Sequence, residues 1–181
     1  LHEIFYDYHM GITAENLAEV YNISRDEQDR LAAESQNRAL NALKKDIFQE
    51  EIISLETGEG IFKKDETPRE TTLEKLSNLP PVFKKDGTIT AGNSSSISDG
   101  AAALLITSKK YAEENNLEIM GHIKGDASAG IDPKYMGMGP VVSNRKLFDK
   151  YGIDEHDLDI IEENEAFAVQ ILATMEETNT P

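Results

Sequence analysis

Apolar positions recur at helical spacing near the start of the chain. Ala14, Leu17, Ala18 and Tyr21 fall on one face, and Thr13 is the expected N-cap. Ser24-Arg25-Asp26-Glu27 has the form of a capping box, in which the serine hydroxyl accepts from the Glu27 amide and the Glu27 carboxylate reaches back. A long helix should run from there to about Lys45, with Leu31, Ala32, Ser35, Ala39 and Ala42 on its covered stripe. Those side chains are small, so the helix is expected to pack closely. Acidic residues gather near its start and Lys44-Lys45 near its end, which suits the helix dipole. Residues 51–55 read as a short strand, and the polar stretch 57–70, with Gly58, Gly60 and Pro68, as loop or hairpin. Leu73, Leu76 and Leu79 predict a short helix closed by Pro80-Pro81. Lys85-Asp86-Gly87-Thr88 is a turn, and 91–98 is small, polar and glycine-containing.

The pattern changes near residue 97. Residues 101–107 form a continuous apolar run, which fits a strand buried on both faces. A helix is expected over 109–116 and another strand over 120–127. Met136-Gly137-Met138-Gly139-Pro140 is a tight loop opening a helix through Phe148 and Tyr151. A helical turn at 154–157 leads to a brief buried strand at 158–161. The last helix, 165–177, places Phe167, Ile171 and Met175 on one face. Strands alternating with helices imply a layered α/β fold in this half. The first hundred residues are more helical and loop-rich, and no internal repeat is present.

Composition narrows the chemistry. The chain has 181 residues, 34 acidic and 18 basic, for a formal charge of −16, and no cysteine. That charge argues against nucleic acid or an anionic membrane as the main partner. The absence of cysteine excludes disulfides, thiolate metal sites and thiolate nucleophiles within these residues. No apolar run is long enough to cross a membrane, and no basic leader is visible. The chain starts at Leu1 and not at methionine, so a piece of something longer, or a processed product, is expected.

Four segments stand out. His9-Met10-Gly11-Ile12-Thr13-Ala14-Glu15-Asn16 puts a histidine just before a helix, where it is either a satisfied surface or core residue or a functional one. Thr90-Ala91-Gly92-Asn93-Ser94-Ser95-Ser96-Ile97-Ser98-Asp99-Gly100-Ala101-Ala102-Ala103 is small enough for a ligand to approach the backbone and carries hydroxyls to bond it; a packed loop is the alternative. The Met136 to Pro140 segment reads as a turn and helix start. Asn164-Glu165-Ala166-Phe167-Ala168 places a polar Asn where a buried strand runs into a helix. That is costly unless the side chain is bonded. It is also where α/β sheets face their ligands. Asn164 is therefore either a structural cap or a donor toward a developing oxyanion.

Together, in this order, the four segments resemble the thiolase family, the acetyl-CoA acetyltransferases, from Leu1 to about Glu177. The run Ile161-Glu162-Glu163-Asn164-Glu165-Ala166-Phe167-Ala168 carries the most specific part of the likeness. The resemblance implies a partial thiolase-like layered αβαβα fold. Residues 1–97 would be the inserted, CoA-facing loop domain, 98–117 a return to the N-terminal half, and 118–181 the beginning of the C-terminal half. It implies transfer of an acetyl group between CoA thioesters, making or cleaving 3-ketoacyl-CoA such as acetoacetyl-CoA. The CoA thioester is the substrate; no covalently bound cofactor and no metal are implied.

Residue by residue, Asn164 matches the family asparagine that holds a water in an oxyanion hole; losing such a donor costs about 3 kcal/mol of barrier. Ala166 and Phe167 match residues lining the thioester pocket. His9 and Met10 match pocket residues of the loop domain, Ser95 a hydroxyl that contacts pantetheine, and Leu1 an apolar contact near the adenine. Arg69 matches, across a gap, an arginine near the CoA phosphates, where a guanidinium can bind bidentately. Ser96 stands where the family usually has glycine. The family's two catalytic cysteines and its Gly-His-Pro histidine are absent from these residues. The chain by itself is therefore expected to be inactive. One piece of a split thiolase, or a non-catalytic acyl-CoA-binding module, are the alternatives. A homo-oligomeric, cytoplasmic parent enzyme is expected, with no nucleic-acid or membrane partner.

Overall fold

The computed structural model describes residues 1–180. A two-stranded antiparallel hairpin, β1 (His2–Glu3) and β2 (Tyr8–His9), leads directly into α1 (Met10–Val20). The helix starts earlier than the pattern predicts. His9, not Thr13, is its N-cap, with Nδ1 accepting from the Gly11 amide at 3.0 Å. Thr13 already lies inside the helix and donates its hydroxyl to the Met10 carbonyl at 2.6 Å.

Helix α2 (Arg25–Lys44) begins with the expected capping box. The Ser24 backbone donates to the Glu27 carboxylate at 2.7 Å, and the Glu27 amide donates to the Ser24 hydroxyl at 3.3 Å. Bonds from the Ser24 hydroxyl and backbone hold the Glu27 carboxyl below its usual value. The covered face differs from the expected stripe. Ala32 is buried as foreseen, but Gln28, Asp29 and Ala33 are buried with it, while Leu31, Ser35, Ala39 and Ala42 are only half-buried. Asp29 is tolerated there because it accepts from Arg25 and Asn93, and the Gln28 amide nitrogen donates to the Thr88 hydroxyl at 3.0 Å, although its Oε1 is buried without a partner.

A second hairpin, β3 (Leu55–Thr57) and β4 (Gly60–Phe62), pairs Leu55 with Phe62. It falls later than the strand expected over 51–55. The short helix α3 (Leu73–Ser77) is capped by Thr72, whose hydroxyl accepts from the Lys75 amide at 3.2 Å. It packs against α2 through Leu76 and Leu79.

The larger core joins both halves of the sequence. Helix α4 (Lys109–Glu114) is short and exposed but for Ala112. A 3₁₀ helix (Pro133–Met138) precedes α5 (Gly139–Tyr151), a second 3₁₀ turn (Glu155–Asp157) follows it, and α6 (Ala168–Thr178) ends the described fold. Gly152, at φ 64°, takes the left-handed conformation that stops α5. Ala14, Leu17 and Ala18 of α1 pack with Ile23, Ile89, Met138, Val141, Val169 and Ala173. On α6 the covered residues are Val169 and Ala173, with Ala168, Gln170 and Thr174; Phe167, Ile171 and Met175, the expected face, are half-buried.

Three predicted strands are not formed. Residues 101–107, 120–127 and 158–161 join no ladder, and most of their side chains face solvent. An all-apolar strand is stable when neighbouring strands and both covering layers are present; the described residues supply neither. Among them, no helix is long and apolar enough to cross a membrane.

Three elements of the core are tied at the surface. Glu177 on α6 accepts from Arg145 on α5 at 2.5 Å and from the Tyr21 hydroxyl, just past α1, at 3.0 Å. Arg145 and Tyr21 together hold the Glu177 carboxyl below its ordinary value of 4.5. A lowered folded value means that the tie stabilises fully above the ordinary value and is lost as pH falls through the lowered one. Thermal unfolding of the wild type and Glu177→Gln at about pH 6 and about pH 3 should show the wild type's advantage shrinking in acid. An advantage equal at both pH values would reject the assignment.

Candidate functional site

The segment 88–95 is held in place by carboxylates and an amide. Glu15 of α1, buried, accepts from the Thr88 amide at 2.9 Å and the Ile89 amide at 3.0 Å. Converging N–H donors satisfy its buried oxygens. On the other side, the Asn93 side chain donates to Asp29 of α2 at 3.0 Å and to the Thr88 carbonyl at 3.0 Å. Its oxygen accepts from the Thr90 amide at 2.8 Å. Asp29 in turn accepts from Arg25 at 2.8 Å, and Arg25 donates onward to the Leu76 and Leu79 carbonyls at 2.6 and 3.0 Å. The loop is thus anchored to α1, α2 and the end of α3.

Its far end forms one short stretch of antiparallel pairing with the segment before α6. The Ala168 amide donates to the Asn93 carbonyl and the Ser95 amide to the Ala166 carbonyl, both at 2.9 Å, with Ser94 opposite Phe167. This pairing also satisfies an N-terminal amide of α6, whose N-cap Phe167 has no side chain able to do so.

A cleft of about 270 Å³ opens between this pairing and α2. Leu31, Ala32, Ser35 and Gln36 form one wall; Gly92 to Ser96, Ser98, Asn164, Glu165 and Ala168 form the other, with Thr67 at the edge. Ser95 and Asn164, far apart in sequence, therefore face one space. Glu165 crosses it, accepting from the Ser35 hydroxyl at 2.5 Å. The Asn164 carbonyl accepts from the Ala166 amide at 2.9 Å, which turns the chain sharply before α6. The Ser95 hydroxyl makes only a long 3.3 Å bond to the Ser96 carbonyl and remains available to a ligand.

Phe167 points the other way, as alternation along an extended segment requires. Its ring meets Phe83 edge-on at 6.2 Å, and Phe83 stacks on His9 at 4.6 Å. Phe83 lies so close over Gly11 that a β-carbon there would overlap its ring, so glycine is required beneath it. Because His9 Nδ1 accepts from Gly11, the neutral imidazole carries its proton on Nε2. Met10 is half-buried beside it and Leu1 is exposed, joined to them through the Met10 amide, which donates to the Leu1 carbonyl at 3.0 Å.

The predicted site residues thus form two groups on either side of the 166–168 segment: Ser95 and Asn164 in the cleft, His9 and Phe167 in the aromatic row. Ala166 joins them through its backbone. Leu1, Met10 and Arg69 line neither. Arg69 stands one step outside the cleft, its amide bonded to Gln36 at 2.8 Å and its guanidinium exposed. Phe83 and Asp29 are additions that sequence reasoning missed; Asn93 lies in the singled-out 90–103 segment, without a role assigned to it there. Among the described residues, no group of three or more His, Asp or Glu side chains is placed to hold a metal ion.

Family models described as thiolase, N-terminal domain and thiolase, C-terminal domain match residues 1–110 and 117–181. An acetyl-CoA acetyltransferase of Pseudomonas aeruginosa is 50% identical over 179 residues, covering 96% of this chain and 46% of its own. A probable acetyl-CoA acyltransferase of Staphylococcus aureus is 46% identical over 187 residues, covering 100% and 48%. The solved Bacillus anthracis acetyl-CoA acetyltransferase superposes with a TM-score of 0.95 at 42% identity, over 99% of this chain and 47% of that one. Human mitochondrial 3-ketoacyl-CoA thiolase in complex with CoA gives 0.95 at 41% identity, over 100% and 46%. The chain spans about half the length of these relatives.

The Asn93 amide is the joint of the site, and two substitutions separate its effects. Asn93→Ala strips partners from Asp29, Thr88 and Thr90 and should cost about 3 kcal/mol. Asn93→Asp sets a second carboxylate against Asp29, so its loss of stability should be larger at neutral pH than in acid. Urea unfolding at both pH values measures this; a pH-independent Asn93→Asp penalty would contradict the geometry.

Proposed function

The chain belongs to the thiolase family, and from that premise we propose that it carries the acyl-CoA-facing wall of an acetyl-transferring enzyme. The reaction class is acyl transfer between CoA thioesters, with making or breaking of a carbon–carbon bond in a 3-ketoacyl-CoA. The observation that carries this reading is the convergence of Ser95 and Asn164 on one cleft. A thioester oxygen gains enolate-like charge as the bond next to it forms or breaks. The Asn164 side-chain amide, exposed at this cleft and without a hydrogen-bond partner among the described residues, stabilises that charge directly or through a water.

The other residues take binding roles in this reading. The Ser95 hydroxyl meets an amide of the pantetheine arm. Ala166 and Phe167 shape the thioester end of the site. His9, held as the Nε2–H tautomer by Gly11 and stacked on Phe83, offers a donor on the other side of Phe167. Met10 supplies apolar contact, Leu1 a contact near the adenine, and Arg69 a cation for phosphate in a chain of net charge −16. We take residues 1–97 as the CoA-facing loop domain, 98–117 as a return to the N-terminal half, and 118–181 as the start of the C-terminal half. The change in hydrophobic pattern supports that division. A cytoplasmic, homo-oligomeric parent enzyme is part of the same reading and rests on the family resemblance.

Nucleophilic thiolate chemistry needs a cysteine, and these residues contain none. The purified chain should therefore leave acetoacetyl-CoA uncleaved in the presence of CoA; measurable thiolysis would refute the proposed division of labour. Titration of the isotope-labelled chain with CoA should shift the amide resonances of Ser95, Ser96 and Asn164. Ser95→Ala should weaken that response several-fold. Shifts confined to other regions would refute the cleft assignment.

A further inference from the structure

Two buried polar side chains on α6 converge on the carboxylate that precedes Asn164. Gln170 is 7% exposed and Thr174 is 5%. They stand four positions apart, so both lie on one helix face. The Gln170 amide nitrogen donates to Glu163 Oε1 at 2.9 Å, and the Thr174 hydroxyl donates to the same oxygen at 3.1 Å. Neither side chain donates elsewhere among the described residues, and a buried donor without an acceptor is costly. Glu163 is therefore fastened to α6 by two charge-assisted bonds. Gly137, in the 136–140 segment, closes over the same place. A β-carbon there would stand 2.8 Å from Leu17 and 3.3 Å from Gln170. The glycine lets the 3₁₀ helix settle on the stem of Gln170, whose amide end reaches Glu163.

The other neighbour of Asn164 is fastened as well. Glu165 accepts from Ser35 of α2 at 2.5 Å, and the Ala166 amide closes on the Asn164 carbonyl at 2.9 Å. Asn164 thus sits between one carboxylate held by α6 and another held by α2. Its own side-chain amide lines the cleft without a partner among the described residues. A side chain kept free for a ligand takes its orientation from the backbone on either side, which these two anchors fix. We propose that Glu163 is a positioning residue: fastened to Gln170 and Thr174, it holds the backbone at 164 so that the Asn164 amide stays at the cleft. The proposal rests on the reading of Asn164 as the donor to a thioester oxygen.

Nuclear magnetic resonance on the isotope-labelled chain tests this. In the wild type the backbone amide of Asn164 should be rigid, with an order parameter of about 0.85. Glu163→Ala should bring it below about 0.6, while Ser95 and Ala168 keep theirs. Glu163→Gln retains an acceptor oxygen for both donors and should restore the rigidity. Thr174→Val removes one donor and leaves Glu163 to Gln170, so it should fall between; it carries the test should Glu163→Ala fail to fold. Free CoA has no thioester oxygen, so acetyl-CoA set against CoA isolates the Asn164 contact. The wild type should bind acetyl-CoA several-fold tighter than CoA. In Glu163→Ala that ratio should fall to about one, with CoA affinity held within about twofold, and Glu163→Gln should recover it. An Asn164 amide already mobile in the wild type, or equally rigid in Glu163→Ala and Thr174→Val, overturns the proposal while CoA binding stands. So does a ratio that survives both variants, or a loss that Glu163→Gln leaves unrestored. Absence of CoA binding at Ser95 and Ser96 in the wild type, or of any preference for acetyl-CoA, overturns the underlying reading and the proposal with it.

Discussion

The buried amide of Asn93 is the contact on which the arrangement depends. One side chain with two donor hydrogens and one acceptor oxygen serves Asp29, the Thr88 carbonyl and the Thr90 amide together. No aliphatic residue could replace it, because the groups it meets are polar and lie out of water. Buried Asp29 is paired with Arg25, and Arg25 is held inward by the Leu76 and Leu79 carbonyls. The network is closed, which is the condition under which buried polarity specifies one geometry. Glu15 completes it from the side of α1 by fixing the Thr88 and Ile89 amides.

From that joint the order passes outward along the backbone. Asn93 uses its side chain toward α2 and its carbonyl toward α6, so one residue sets the distance between the two helices. The pairing of 93–95 with 166–168 then decides which side chains share a space. Residues of even and odd position part ways at Phe167: Ala168 turns to the cleft with Ser95 and Asn164, and Phe167 turns to Phe83 and His9. A site assembled from hairpin, loop and helix N-terminus acquires its geometry from this single short ladder.

Much of this was legible in the chain, but unevenly. The start of α2 was readable because a capping box is a local device whose partners are three residues apart. The N-cap of α1 was misread because a histidine nitrogen served where a threonine hydroxyl was expected, and the threonine bonded within the helix instead. The polar face of α2 was misjudged for a related reason: Gln28 and Asp29 are buried by partners sixty or more residues away, which periodicity does not register. The proposed site residues Asn164, Ala166 and Ser95 come from a motif resemblance; in the structure Ser95 and Asn164 line one cleft and Ala166 pairs with Ser95 through its backbone. Phe83 gave no signal. It is a lone aromatic between Pro80-Pro81 and a charged turn, and its place is decided by a glycine seventy-two positions earlier.

The unformed strands follow from where each kind of element finds its hydrogen bonds. A helix closes its bonds within its own segment, so α1, α2, α5 and α6 need only a covered face to persist. A strand finds all of its bonds in another segment, which in a layered fold can be far away in sequence. A chain spanning about half of its relatives' length therefore keeps its helices and hairpins, whose partners are near. Residues 101–107, 120–127 and 158–161 find no such partner among the described residues. The cleft obeys the same division. Its closed wall is made by the helices and by one ladder contained within these residues.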